Sequence, residues 1–199
     1  MIGDFFAHAL AHIELSAASL AAAILLGIPL AGLVVDRPAA RALALGLAGG
    51  LRVIPSLAIL TLALPLLGLG FAPALLALIV LALPPIVINA EIGLRTVPAT
   101  VLEAAAGTGM TTAQVGRRVR WPLALPVVAV GVRTAAVEVI ASATLASFIG
   151  AGGLGDYIID GLATNDLGEL LLGAGSVALL AIAVDQLLGR LEARLAAAQ

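Results

Sequence analysis

Long runs of apolar residues, separated by short polar connections, dominate this chain. Five of them lie at about residues 13–35, 43–65, 73–91, 123–149 and 169–189. A helix of about twenty apolar residues crosses the hydrocarbon core of a bilayer. The pattern therefore predicts an all-α integral membrane protein with five transmembrane helices, forming one domain over residues 1–199.

The composition supports this interpretation, because 62% of the residues are hydrophobic and 11% are charged. Soluble globular domains carry about a quarter charged residues, and a soluble fold would have too little polar surface here. The chain has no cysteine, so disulfides and thiolate metal sites are excluded. His8 and His12 could share a helix face and hold a metal, but a polar turn at the membrane interface is the preferred interpretation.

Every basic residue is arginine, and this bears on both chemistry and orientation. A Walker A phosphate loop needs a lysine, so an ordinary ATP site of that kind is excluded. Asp4 and the absence of early basic residues argue against a cleavable signal peptide.

The arginines also orient the predicted helices. Eight of the ten follow the first, third and fifth apolar runs: Arg37, Arg41, Arg95, Arg117, Arg118, Arg120, Arg190 and Arg194. The connection after the fourth run carries acidic residues and no arginine. By the positive-inside rule, we expect the N-terminus outside and the C-terminus in the cytoplasm.

Residues 96–122 form the longest predicted cytoplasmic loop and contain two helix-start patterns. Thr100 with Glu103, and Thr111 with Gln114, each have the spacing of a capping box. The first helix should start at Val101 and stop at Gly107 and Gly109. The second should run from Thr112 to about Arg120, with Pro122 ending it. The residues alone leave two roles open: docking in a partner's groove, or lying on lipid headgroups.

This loop resembles the EAA signature of permease subunits of bacterial ABC importers. The signature is carried, at the family's spacing, by Glu103, Ala104, Ala105, Gly109, Val119 and Pro122. Trp121 replaces the leucine that usually precedes the proline. Further segments resemble the glycine betaine, carnitine and choline permeases, namely Ile54–Ala58, Pro85 and Ile86 with Asn89 and with Gly93 and Leu94, Gly107–Met110, and Gly150–Gly155.

The resemblance implies a division of labour between several subunits. The loop would be a coupling helix seated in a separate ATPase subunit, which would bind ATP and Mg, with no cofactor in this chain. Glu103 would organise the loop and Gly109 would permit its turn. The other implied partners are a second permease subunit, identical or related, an extracytoplasmic substrate-binding protein and the lipid bilayer; no nucleic acid is expected. The implied location is the bacterial inner membrane.

Candidate residues for the translocation path or its gate lie outside the loop. Pro55 and Ser56 interrupt the second apolar run, Pro84 and Pro85 should bend the third, and Asn89 follows them. The glycine-rich segment containing Gly152, Gly153 and Gly155 fits a dinucleotide-binding pattern. It follows an apolar span rather than a short strand, so a turn or an outer gate is the better interpretation.

Charged residues within the apolar runs should face the protein interior and pair, because each costs about 2.5–3.5 kcal/mol at mid-membrane. Glu138 and Arg133 are five residues apart and do not share a helix face, so Arg52 is the expected partner of Glu138. Both a structural ion pair and a role in the substrate path remain open for Glu138.

The leading function is the import of a compatible solute such as glycine betaine, choline or carnitine by alternating access. The alternative within the same class is a permease of a methionine-type amino-acid importer. A standalone channel, a secondary transporter and a non-transporting scaffold are further alternatives. Because aromatic residues are only 3% of the chain, high-affinity recognition of a quaternary ammonium group should belong to the binding protein.

Overall fold

A computed structural model describes residues 2–197. It is helical throughout these residues, and no strand occurs among them. The α-helices are α1 Ile2–Val34, α2 Pro38–Leu51, α3 Ser56–Leu67, α4 Phe71–Thr96, α5 Ala99–Gly107, α6 Thr112–Val115, α7 Trp121–Ser142, α8 Gly155–Thr164 and α9 Leu167–Ala197. A π-helical turn, Gly116–Arg120, joins α6 to α7, and a 3-10 helix, Ala143–Ile149, extends α7.

Four helical stretches of the described chain are long and apolar enough to cross a membrane: Asp4–Val34, Phe71–Thr96, Thr112–Ile149 and Leu167–Ala197. The second predicted span is instead the pair α2 and α3, which meet at 99°. Counting this bent pair as one span gives the five that the apolar runs predict.

The break between α2 and α3 lies at residues 52–55. Pro55 precedes the first residue of α3 and has a φ of −58°, so it begins a new helix rather than bending a continuous one. The amides of Val53 and Ile54 donate to the carbonyls of Gly50 and Leu51, which satisfies the turn locally. In contrast, α4 continues through Pro84 and Pro85, and both prolines are buried.

The centre of the bundle is formed by α4 packed against α1 and α7. Its main buried cluster is rich in alanine, including Ala74, Ala77, Ala82 and Ala135. Two glycines let α4 and α7 approach closely: a Cβ at Gly131 would lie 2.7 Å from the carbonyl oxygen of Pro85, and one at Gly93 2.9 Å from that of Ala124. Small residues serve this close packing in membranes, where the helices cannot associate by excluding water.

Several predicted boundaries are wrong because helices continue past the apolar runs into polar sequence. The helix over the first run begins at Ile2, and the last continues to Ala197. The connection after the fourth run contains a helix, α8, that the sequence did not predict. It packs on α9, where a Cβ at Gly173 would lie 2.9 Å from Ile158.

The two opposite ends of the helix bundle carry different charged residues, and we name each end after them. The arginine-bearing end carries Arg37, Arg41, Arg95, Arg117, Arg118 and Arg120 near the ends of α1 and α4 and the start of α7. The acidic end carries Asp4, Asp156, Asp160, Asp166 and Glu169 around α8.

Candidate functional site

The predicted loop folds as two helical pieces around a tight turn, and we call residues 99–120 the knob. Gly107 is the last residue of α5, and Gly109 has a φ of +88°, a left-handed conformation that favours glycine. Thr111 and Gln114 form the predicted capping box: the Gln114 amide donates to Thr111 Oγ1 at 3.3 Å, and the Thr111 amide donates to Gln114 Oε1 at 2.8 Å. The predicted helix–turn–helix is therefore confirmed in this part.

Two details of the knob differ from the prediction. Thr100 does not cap α5, since the helix starts at Ala99 and the amides of Val101 and Leu102 donate to the carbonyl of Pro98. Pro122 does not end the second helix. The π-turn before it bonds the Trp121 amide to the Gly116 carbonyl, and the chain continues directly into α7. A π-turn widens the helix, which accommodates a proline ring that would otherwise clash with the preceding turn.

The knob has a largely exposed surface. No residue of α5 is buried, and Glu103 and Ala104 are exposed while Ala105 is partly covered. Val119 lies in the π-turn and is also partly covered. The residues of the EAA spacing thus lie on one protruding segment, except Pro122, which is in the first turn of α7.

The base of the knob is tied to two other helices by Arg120. Its Nη1 donates to both carboxylate oxygens of Asp36, just after α1, and its Nε donates to the carbonyl of Leu94 in α4 at 2.9 Å.

A second ionic cluster lies one turn further into α4. Glu91 is fully buried, and its Oε1 lies 3.0 Å from Arg95 Nε and 3.8 Å from Arg41 Nε of α2. Glu91 stands at the edge of an apolar run, so the sequence pattern alone did not mark it as a site residue. The arginine four residues later was the signal available, because such a pair shares a helix face.

The break between α2 and α3 brings two predicted residues together. Arg52 Nη2 lies 3.7 Å from Glu138 Oε1, so the predicted partner of Glu138 is confirmed. Pro55 is exposed and Ser56 is partly covered beside this break.

Asn89, a further candidate for the path, lies elsewhere. Its Nδ2 donates to the Pro85 carbonyl at 2.8 Å, and its Cβ packs against Gly131 at the contact of α4 with α7. The structure therefore does not bring Asn89 together with Glu138.

Arg133 is held by two carboxylates of α9. Its Nε and Nη2 donate to the two oxygens of Asp185 at 2.6 and 2.8 Å, and its Nη1 donates to Glu192 at 3.2 Å. Together with Thr134 and Glu138, these groups line a cavity of about 410 Å³.

The glycine-rich segment forms the expected turn at the acidic end. Gly152 and Gly153 have φ values of +74° and +112°, and Gly155 begins α8, packed against the carbonyl of Thr144. A helix, not a strand, precedes this segment, which argues against a dinucleotide site.

His12 lies behind this turn. It is buried rather than at an interface, and its Nε2 donates to the Ile140 carbonyl at 3.0 Å. The described residues contain no cluster of three His, Asp or Glu side chains suited to a metal.

A wider cavity of about 640 Å³ opens at the acidic end. Phe5, His8 and Tyr157 form one wall, with the Phe5 and Tyr157 rings 6.0 Å apart. Partial burial of the Tyr157 side chain raises the pKa of Tyr157, and the nearby charges of Asp4, Glu169 and Asp156 raise it further.

Comparisons with known proteins identify the class. Residues 23–197 match the family described as "Binding-protein-dependent transport system inner membrane component". The chain belongs to this family of membrane transport permeases.

Curated relatives cover most of the chain. It is 39% identical to the choline transport system permease protein OpuBB of Bacillus subtilis, over 92% of this chain and 85% of that one. It is 41% identical to the carnitine transport permease protein OpuCB of Listeria monocytogenes, over 92% and 84%. It is 40% identical to the osmoprotectant import permease protein OsmY of Salmonella typhimurium, over 89% and 76%.

Solved structures share the fold. An inward-facing structure of the MetNI methionine ABC transporter matches with a TM-score of 0.83 and 21% identity, over 94% of this chain and 93% of that one. An amino acid ABC transporter matches with a TM-score of 0.78 and 21% identity, over 96% and 93%. At this identity the likeness defines the fold and no more.

Proposed function

We propose that this chain is the permease subunit of an ATP-driven importer of a compatible solute such as glycine betaine, choline or carnitine. The observation that carries the proposal is the identity of about 40%, over nearly the whole chain, to permeases named for choline, carnitine and osmoprotectants. The methionine-type alternative rests on the shared fold at 21% identity, which does not favour its substrate over this one.

In the proposed arrangement the arginine-bearing end faces the cytoplasm of a bacterial cell and the protein lies in the inner membrane. The N-terminus is then outside and the C-terminus inside. The positive-inside rule supports this orientation, because the acidic end has the opposite charge balance. Residues 1–199 act as one permease domain.

The knob is the proposed site for the separate ATPase, which binds ATP and Mg. Its exposed α5 and the fixed turn at Gly109 offer a shaped surface of small residues, suited to a groove. A lipid surface would favour a helix with one strongly apolar face, whereas the exposed surface of α5 carries Glu103 among small residues. Glu103, Ala104, Ala105, Gly109, Val119 and Pro122 are the proposed coupling residues.

The path itself would be completed by a second permease subunit, with a substrate-binding protein delivering solute at the acidic end. Pro55, Ser56 and Glu138 are the proposed lining residues, since they border a break within the membrane span. Asn89 is proposed to support the path indirectly, by packing α4 against Gly131 of α7. Gly152, Gly153 and Gly155 form the proposed outer gate.

The substrate is tested by calorimetric titration of the partner binding protein with glycine betaine, choline, carnitine and methionine. Binding of a quaternary ammonium solute and uptake of that solute by the assembled complex are expected. Binding of methionine, with none of the other three, would contradict the proposal.

The coupling role is tested with Gly109→Glu, which should abolish substrate-stimulated ATP hydrolysis and leave membrane insertion intact. The matched control is Gly107→Glu, which adds the same charge on the same exposed surface but in helical backbone; neither position has an atom within 4 Å of an added Cβ. The difference between the two variants measures the contribution of the turn conformation. If substrate still stimulates ATP hydrolysis normally in Gly109→Glu, the proposed coupling role of this turn is wrong.

A further inference from the structure

One face of α7, which we call the stripe, carries charged side chains that remain partly exposed in the folded chain. Val130, Arg133, Thr134, Val137 and Glu138 line the cavity of about 410 Å³, so Arg133 and Glu138 border the same cavity although their spacing of five residues predicted different faces. The side chains of Arg133 and Glu138 are 36% and 37% exposed. At 1.5 Å per residue, Arg133 lies about 18 Å along the helix from Trp121.

With Trp121 at the proposed cytoplasmic boundary, the stripe lies within a hydrocarbon core about 30 Å thick. An ionised side chain facing lipid there would cost about 2.5–3.5 kcal/mol. The stripe carries two such groups, and Arg52 and Asp185 add their half-exposed charges beside it. This cost argues that the stripe faces a polar cavity or a neighbouring subunit rather than lipid.

Arg133, which lines this cavity, and Arg52, which pairs with the lining residue Glu138, are engaged differently. All three nitrogens of the Arg133 guanidinium are engaged, because Nε and Nη2 donate to Asp185 and Nη1 donates to Glu192. Gly189 also packs against it, since a Cβ there would lie 3.0 Å from Nη1. This triad ties α7 to α9 and leaves Arg133 little capacity for a ligand.

The pair of Arg52 and Glu138 is loose by comparison. Its closest nitrogen-to-oxygen distance is 3.7 Å, longer than a charge-assisted hydrogen bond of about 2.7–2.9 Å. The Arg52 side chain is 45% exposed. It also lies in the break between α2 and α3 rather than in a helix, so its position depends on the angle between them.

Resting on the function proposed above, we propose that a zwitterionic solute inserts between Arg52 and Glu138 during transit. Its quaternary ammonium group contacts the Glu138 carboxylate, and its own carboxylate binds the Arg52 guanidinium. Both charges of the pair stay compensated while the solute is present, so opening the pair carries no unpaired charge. Discontinuous helices near the midplane form such sites in other transporters.

This arrangement discriminates between solutes by their charges. Glycine betaine satisfies both partners, whereas choline has a hydroxyl in place of the carboxylate and satisfies Glu138 alone. Arg52 should therefore matter for betaine and not for choline, while Glu138 should matter for both. An ion pair with a purely structural role would make no such distinction.

The test measures binding of radiolabelled glycine betaine and choline, at millimolar concentration, to the purified permease–ATPase complex without its binding protein. In Arg52→Gln the dissociation constant for betaine should rise about tenfold and that for choline should stay within twofold. In Glu138→Gln both should rise about tenfold. Val137→Ala, a neutral change in the same cavity, should alter neither.

Assembly of each variant is checked by recovery of the intact complex, and the basal ATP hydrolysis of the control Val137→Ala should match wild type. If a glutamine variant fails to assemble, Arg52→Lys and Glu138→Asp, which keep the charges, replace it and should shift the same solutes by a smaller factor. No binding of betaine to the wild-type complex would overturn this inference, and so would equal losses of both solutes in Arg52→Gln. Uptake by wild-type complex with its binding protein tests the proposed function separately, so the two failures are distinguishable.

Discussion

Arg120 donates from Nη1 to both carboxylate oxygens of Asp36, at 2.9 and 2.8 Å, across 84 residues of sequence. The two partners differ in their surroundings, because the Arg120 side chain is 19% exposed and that of Asp36 is 71% exposed. Arg120 also binds the Leu94 carbonyl, so one guanidinium joins the base of the knob to α1 and α4. The exposed ion pair with Asp36 should therefore contribute less to stability than the hydrogen bond to the Leu94 carbonyl.

Loss of Arg120 should thus cost more stability than loss of Asp36. Arg120→Gln removes a charged hydrogen bond to a partly buried carbonyl, worth about 1.5–3 kcal/mol. Asp36→Asn removes an exposed pair worth about 0–1 kcal/mol. Thermal unfolding in detergent measures both, with exposed Arg118→Gln as the control. A larger loss in Asp36→Asn would contradict the assignment.

The two arginines that face buried Glu91 should act non-additively. Either Arg41→Gln or Arg95→Gln leaves one cation beside the carboxylate, and each should cost about 1 kcal/mol. The double variant leaves a buried charge unpaired and should cost about 3–5 kcal/mol. Adding Glu91→Gln should recover most of that loss in denaturant titrations. Additive single effects, or no recovery, would argue against this cluster.

Gly131 should tolerate no side chain. A Cβ there would lie 2.6 Å from Asn89 Cβ and 2.7 Å from the Pro85 oxygen, so Gly131→Ala must separate α4 from α7 and should cost about 1–3 kcal/mol. The control is Gly46→Ala in α2, where no atom lies within 4 Å of an added Cβ. That change should be neutral or stabilising by up to about 1 kcal/mol. Equal midpoints of unfolding for the two variants would be inconsistent with the close packing.

Gly153 should be equally intolerant for a different reason. Its φ of +112° strains any residue with a Cβ, and that Cβ would lie 3.2 Å from His12 Nδ1. Gly153→Ala should cost about 1–3 kcal/mol and slow solute uptake. Gly175→Ala in α9, with open space around it, serves as the control. Wild-type stability in Gly153→Ala would contradict the expected backbone strain, and wild-type uptake would contradict the proposed gate.

The apolar runs predicted the spans well because length and composition alone decide which segments enter a bilayer. The spacing of Thr111 and Gln114 also predicted the helix cap, and the glycines predicted the turn at Gly109. The partner of Glu138 followed from the high cost of an unpaired charge in a membrane.

Other features depended on tertiary structure or on helix geometry that sequence patterns do not contain. The π-turn that carries the helix through Pro122 has no sequence signature, and Pro98 started α5 ahead of the Thr100 cap. Burial of Glu91 and His12 depends on which helices pack against them. The short helix α8 was missed because its glycine-rich and acidic surroundings resemble a loop.

The continuous helix from Thr112 to Ile149 gives the molecule a mechanical connection between its two ends. Its 38 residues extend about 57 Å, which exceeds the thickness of the hydrocarbon core. A tilt of about 10° about one end displaces the other end by about 10 Å at that length. No loop interrupts the helix between the knob and the glycine-rich turn at its opposite end, so a tilt of this helix changes the relative positions of both.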